Sequence, residues 1–131
     1  MSAAAADQAD VVAGTLRWSK GAWLFAPTGV DVLLRVDPVP APSTDGFFSR
    51  AIKARLVVHG DVGSTARAGD PIRPRTGVPD VLVGTVRAVG DGFVVIDAGV
   101  AFVVRGAVGV EVGAVVTIDV DDDRGVVCEL L

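Results

Sequence analysis

The stretch VLVGTVRAVGDGFVVIDAGVAFVVRG, residues 81–106, predicts the fold of this chain. It is nearly continuous apolar sequence, rich in valine, and glycines interrupt it at regular intervals. Valine favours extended strands, and glycine accepts the positive φ of tight turns. The stretch therefore predicts a three-stranded meander with strands near 81–89, 92–97 and 100–105.

A similar stretch, VVAGTLRWSKGAWLFAPTGVDVLLRV, occupies residues 11–36 and predicts strands near 11–18, 22–27 and 30–36. When residues 11–36 are aligned with residues 81–106 without gaps, Trp23 is matched with Phe93. Seven pairs are identical, namely Val11/Val81, Gly14/Gly84, Thr15/Thr85, Arg17/Arg87, Gly29/Gly99, Val30/Val100 and Arg35/Arg105. We interpret the two stretches as an internal repeat, although two hairpins of similar design also resemble each other without duplication.

Further strands are expected after each meander. A fourth strand is predicted at 54–60 in the first half and at 114–120 in the second, where VVCEL then forms a fifth. The prolines of DPVPAPSTDG argue against regular pairing just after the first meander, and residues 45–53 have the composition of one short helix.

The predicted fold class is all-β, with at most one short helix near 45–53. The two repeated meander units form either two small OB-like barrels or one fused double barrel. The predicted organisation is a disordered N-terminus at 1–10, a first β unit at 11–60, a Gly/Pro/Arg-rich linker at 61–80 and a second β unit at 81–131.

The second half carries a resemblance to a known family. The spacing of Gly84, Val86, Val89, Gly92 and Phe93, followed by EVGAVVTIDV and DDDRGVVCEL, resembles an S1-like OB-fold module. That resemblance implies a five-stranded barrel of a kind best known for binding single-stranded RNA. The strands that would bind RNA read FVVIDAGVAFVV, however, and are almost wholly aliphatic. Phe93 and Phe102 are the only side chains there that could stack on bases, and both are more typical of a core.

Composition predicts a protein of the cytoplasm. The start, MSAAAADQAD, has no basic segment followed by an apolar one, and no apolar run is long enough for a membrane helix. The single cysteine, Cys128, lies in an apolar strand pattern and is expected to be buried and inert.

Charge is unevenly distributed along the chain. Between Gly46 and Thr76 there are six basic and two acidic residues, which gives a segment charge of +6 − 2 = +4. The net charge of the whole chain is −4, so the rest of the chain carries −4 − 4 = −8. Basic segments attract anionic partners, and exposed tryptophans stack on bases. The candidate binding residues are therefore Trp18, Lys20, Trp23, Arg50, Lys53, Arg55, Arg67, Arg73 and Arg75.

Catalytic and metal-binding motifs are not predicted. The array Asp119, Asp121, Asp123 resembles a calcium loop, but Leu130 occupies the position of the required glutamate, and a hairpin turn is favoured. His59 is the only histidine, and no nucleophile motif surrounds it. No enzyme activity, cofactor or metal site is therefore expected.

Two functions remain open on the sequence. We favour a non-enzymatic β-barrel module for protein–protein binding or structural assembly, since exposed strand edges and aliphatic side chains suit contacts with proteins. The alternative is a single-stranded nucleic-acid-binding OB-fold protein that uses the basic segment and the tryptophans.

Overall fold

The computed structural model describes residues 10–44, 49–63, 71–107, 109–121 and 123–131. The regular elements in these ranges are β-strands, so the chain is all-β, as predicted. The strands are β1 Val12–Ser19, β2 Ala22–Pro27, β3 Leu33–Val39, β4 Ser49–Val62, β5 Ile72–Arg73, β6 Thr76–Gly77, β7 Val81–Gly90, β8 Phe93–Asp97, β9 Ala101–Arg105, β10 Val115–Val120 and β11 Val126–Leu130.

The described part of the possible helix at 45–53 is extended. Residues 49–53 begin β4, the longest strand. Side chains two residues apart lie on one face of a strand, and Ile52, Ala54 and Leu56 all contact the core. Residues 45–48 lie outside the described residues, as do residues 1–9 of the predicted disordered N-terminus at 1–10, whereas Asp10 is described and pairs with Arg55.

Regular pairing also continues further than the prolines suggest. β3 extends to Val39, and Pro38 lies opposite Cys128 in the parallel pair β3–β11. The pairing of β3 with β2 has already ended at Val36. Because β3 has a ladder on one side only at Pro38, the missing N–H of the proline is tolerated.

The predicted linker contains two short strands. β5 pairs with β7, and β6 pairs with β3. A cis peptide bond joins Arg73 to Pro74 between them. Residues 64–70 of the linker lie outside the described residues.

The strands pair in closed circuits. β1, β2, β3, β11 and β4 form a ring of five strands that returns to β1. A second circuit runs through β4, β10, β7, β8 and β9 and returns to β4. Each of these nine strands therefore has a neighbour on both sides along part of its length, although β4 pairs with β9 over only three residues and with β10 over only three.

One hydrophobic core serves both circuits. Phe25 and Leu34 from the first circuit and Ile96 and Phe102 from the second are fully buried in the same cluster. Burying each such side chain contributes about 1.5–3 kcal/mol. The two circuits are thus stabilised together. No helix within the described ranges has the length and hydrophobicity needed to cross a membrane.

Glycine is required at Gly14 and Gly84. A Cβ atom at Gly14 would lie 2.5 Å from the carbonyl oxygen of Ala26 and 2.6 Å from the ring of Phe25. A Cβ atom at Gly84 would overlap the backbone carbonyl of Asp97. Both glycines allow the neighbouring strand to approach closely.

The gapless match of Trp23 with Phe93 is wrong in one respect, since the two side chains lie on opposite faces of the sheet. Trp23 is buried in the main core, whereas Phe93 packs against a smaller cluster on the outer face. The register shifts between Val86 and Ala88, where β7 has a bulge. An extra residue in one strand moves the following side chains to the other face.

Candidate interaction surfaces

The two predicted tryptophans pack in or against the hydrophobic core. Trp18 and Trp23 lie opposite each other on β1 and β2, with ring centroids 5.1 Å apart at an interplanar angle of 59°. Trp23 is 8% exposed and Trp18 is half-buried. Most of this aromatic surface is therefore used for packing, and little of it is available for base stacking.

Three predicted cations lie on β4, where alternation puts Lys53 and Arg55 on one face and Arg50 on the other. Arg50 and Lys53 are exposed, whereas Arg55 donates to the Asp10 carboxylate at 2.9 Å. Lys53 borders an open cleft of about 420 Å³ that is also lined by Val11, Ala13 and Leu131. The ion pair is half-exposed and contributes at most about 1 kcal/mol.

A basic face is formed by the outward side chains of β1, β2 and the first half of β4. Its cations are Arg17 and Lys53, with Arg55 at its border and Lys20 at the tip of the β1–β2 turn. The other outward residues are small or apolar, namely Ala13, Thr15, Ser19, Ala22, Leu24, Ala26, Ser49 and Ala51. None of these outward residues is acidic.

Lys20 has an unusual backbone conformation. Its φ is 52°, and it is the one non-glycine residue with positive φ in the described ranges. Left-handed backbone costs an L-residue about 1–2 kcal/mol, and glycine or asparagine is preferred there. The chain therefore holds a lysine where a less strained residue would form the same turn.

The linker arginines lie apart from the basic face. Arg75 contacts Asp31 through its side chain at 3.5 Å and donates to the Asp31 carbonyl at 3.2 Å. Arg73 lies opposite Val81 on β7. Arg67 lies outside the described residues. The predicted basic set is thus divided between two regions of the fold.

Two aspartates, Asp61 and Asp119, lie near the last residues of β4 and β10, and we call this region the acidic end. Asp61 lies directly opposite Asp119, and both are exposed. The following turn has local contacts, since Asp121 accepts from the Asp123 amide at 3.2 Å and pairs with Arg124 at 3.3 Å. The strands on either side of this turn, β10 and β11, do not pair with each other, so the prediction of a hairpin turn is wrong. Among the described residues no group of three metal-ligating side chains is present.

An apolar row crosses the outer face of five neighbouring strands. Its members lie opposite one another in direct register, in the order Val127, Val57, Val103, Val95 and Ala88. Outward positions of a closed sheet are ordinarily polar. The three central valines are buried, whereas Val127 and Ala88 are half-exposed, as are the adjoining Phe93 and Ala101.

Polar and charged residues border the apolar row on both sides. Arg55 lies opposite Glu129 on one side, and His59 lies opposite Arg105 on the other. Sequence reasoning did not find this row, although a signal was present. The runs at 94–96 and 102–104 are continuously apolar in the sequence, which is typical of strands covered on both faces, and all six residues are buried.

His59 and Cys128 are the two residues whose side chains were weighed for a role in catalysis. His59 borders a cleft of about 180 Å³ with Asp61, Arg105 and Asp121. Cys128 is fully buried, and desolvation raises the pKa of its thiol from 9.0 to about 11. A thiol of this kind is a poor nucleophile at neutral pH.

Comparison of the chain with known protein families, with curated proteins and with solved structures gave no match.

Proposed function

We propose that this chain is a non-enzymatic binding module whose apolar row docks onto another protein. The row itself is the observation that supports this function most strongly. An apolar centre with a charged border is the usual composition of a protein–protein contact. The partner would cover Ala88, Phe93, Ala101 and Val127, the half-exposed side chains around the buried valines.

Strand addition is not part of this proposal. The nine long strands pair on both sides, so a partner finds no long ladder to extend among the described residues. Docking onto the face of the sheet requires no free edge. Side chains rather than backbone groups would therefore provide the specificity.

The nucleic-acid alternative has weaker support. Trp23 is buried, Trp18 packs against it, and Arg75 is engaged by Asp31. The basic face provides phosphate-binding charge, but its strands place no aromatic side chain on the outside. Stacking normally contributes much of the affinity for single strands.

We also infer that residues 11–60 and 81–131 are two copies of one β unit. Equivalent pairings support this: Gly14 lies opposite Ile52 as Gly84 lies opposite Val116. In parallel pairs, Val36 lies opposite Val126 as Val104 lies opposite Val58, so Val36 corresponds to Val104 and not to Gly106, which the gapless comparison places on it. By this equivalence, β10 and β11 correspond to the two halves of β4.

The OB-like character of the units belongs to the same proposal. The resemblance of the second half to S1-like modules implies five strands in a closed sheet. Each circuit has five strands, but each uses one from the other unit: β11 joins the first circuit and the end of β4 joins the second. This exchange favours one fused double barrel over two separate ones.

The docking surface is tested by site-specific photo-crosslinking in the cell that makes the protein. A photoreactive residue at Ala88 should give one discrete cross-linked product, and Ala101→Arg in the same chain should abolish it. The matched control places the photoreactive residue at Ala41, an exposed alanine in the loop after β3, and Arg at the same position. Indistinguishable products from positions 88 and 41, or a product unaffected by Ala101→Arg, would reject the surface.

A further inference from the structure

The two ends of β4 carry opposite charge. The basic face lies at its start, with Lys53 on β4 and Arg17 on the neighbouring β1. The acidic end lies at its finish, where Asp61 meets Asp119. Eight residues separate Lys53 from Asp61, a distance of about 26 Å at 3.3 Å per residue. The Debye length at 0.1 M salt is about 10 Å, so the two regions do not neutralise each other within one copy.

Two carboxylates repel each other at the acidic end, where Asp61 lies opposite Asp119. Like charges directly opposite each other on paired strands are destabilising. Neither Asp61 nor Asp119 forms an ion pair with any residue that the structure describes. His59, Arg105 and Arg124 border the same cleft as Asp61, but Arg124 pairs with Asp121 and no ion pair joins any of the three to Asp61 or Asp119. A cationic partner would relieve this repulsion.

The basic face carries positive charge that no acidic side chain on the same face balances. Lys20 keeps a strained backbone conformation at the tip of the β1–β2 turn. No acidic side chain is present among the outward residues of the face to offset Arg17 and Lys53. Unbalanced positive charge on one face suits a partner of opposite charge.

We propose that a second copy of this chain docks its acidic end onto the basic face, in a head-to-tail contact. Each region supplies the charge that the other lacks. The contact uses different patches on the two copies, so each copy retains one free patch and further copies can add. This inference does not rest on the apolar row.

A polyanion is the other class of molecule that a basic face attracts. The second copy is favoured because the complementary acidic surface is present on the same molecule. The formal net charge of −4 also opposes the approach of nucleic acid over long distances. The experiment below separates these two occupants.

Sedimentation velocity at low and high salt tests the contact with two neutralised variants. The first, Arg17→Gln/Lys53→Gln, lacks the charges of the basic face. The second, Asp61→Asn/Asp119→Asn, lacks those of the acidic end. The wild type should associate with rising concentration in 20 mM salt and become monomeric in 500 mM salt, because exposed charge pairs are screened.

Mixing provides the decisive result. Each variant alone should be monomeric, with association at least tenfold weaker than in the wild type. An equimolar mixture should form a 1:1 dimer that does not grow, since only one intact patch of each kind remains. Asp91→Asn/Glu111→Gln removes the same charge from exposed positions elsewhere and should associate like the wild type. Circular dichroism establishes that all variants are folded.

Three results would overturn the proposal. A wild type that stays monomeric at low salt excludes self-association. Variants that associate as strongly as the wild type place the contact elsewhere. A mixture that forms no dimer, together with salt-sensitive binding of a labelled single strand that is lost in Arg17→Gln/Lys53→Gln, assigns the basic face to polyanions.

Discussion

Val36 of β3 lies directly opposite Val126 of β11, in a parallel pair that joins the first meander to the last strand of the chain. The reciprocal pair joins Val58 of β4 to Val104 of β9. Each half thus contributes a strand to the circuit of the other. The two halves are interlocked by ladder hydrogen bonds and by a common core.

Cleavage between the halves should leave them associated. A protease site inserted within residues 64–70 would separate β4 from β7 in sequence without removing any described strand pair. We expect the two fragments to elute together in size-exclusion chromatography and to separate in urea. Fragments that separate under native conditions would show that the exchanged strands do not hold the halves together.

Alanine at Gly84 should strongly destabilise the fold. Its Cβ would overlap the carbonyl group of Asp97, and forced overpacking of this kind costs about 1–3 kcal/mol or more. Urea unfolding measures the loss. Gly63→Ala is the control, because a Cβ there meets its nearest neighbour at 3.3 Å and needs only a small adjustment. Equal losses for the two variants would contradict the close approach at Gly84.

The Cys128 thiol should make stability fall at alkaline pH. Burial raises the pKa of this thiol from 9.0 to about 11, so the folded state retains the proton over a range where the unfolded state releases it. The stabilisation is present below pH 9 and is lost as pH rises towards 11, by up to about 3 kcal/mol at 1.36 kcal/mol per pKa unit.

Thermal unfolding between pH 8 and pH 11 checks this dependence. Cys128→Ala removes the ionisable group, so its unfolding curve should change less with pH than that of the wild type. A disulfide-exchange reagent should react with Cys128 in urea but not in the folded protein. Rapid reaction under native conditions would contradict the buried thiol.

Single-stranded DNA should not bind through the linker arginines. Arg75 is already paired with Asp31, and the tryptophans are packed in the core. Fluorescence anisotropy with a labelled oligonucleotide at low salt provides the measurement. Micromolar binding with a log–log salt slope of about −2, lost in Arg67→Ala/Arg73→Ala/Arg75→Ala, would instead support the nucleic-acid alternative, since three phosphate contacts at −0.7 each give that slope.

Local features of the sequence predict the strands well. The nine long strands all overlap their predicted positions, because turns and pleats depend on nearby residues. Two of them differ most in extent, since β3 runs three residues past its predicted end, to Val39, and β4 begins five residues before its predicted start, at Ser49. The bulge after Val86 was not predicted, and it moves Phe93 to the outer face. Nothing in the local pattern of β11 indicates that it pairs with β3.

The basic face and the apolar row were harder to predict than the strands, because both depend on which strands pair with one another. The sequence groups the cations of 50–75 by proximity alone, whereas Lys53 and Arg55 lie on β4 and Arg75 lies between β5 and β6, beside Asp31. The apolar row is assembled from β4, β7, β8, β9 and β11, so it exists only once the strands are paired. Long-range register is the information that the sequence pattern lacks.

The docking function of the apolar row is tested most directly by isothermal titration calorimetry with the protein that cross-links at Ala88. We expect a negative heat-capacity change, which indicates burial of apolar surface, and an affinity at least tenfold lower for Ala101→Arg than for the wild type. Ala41→Arg, the matched control, should bind like the wild type. An unchanged affinity for Ala101→Arg, with no measurable heat-capacity change, would contradict the proposed docking surface.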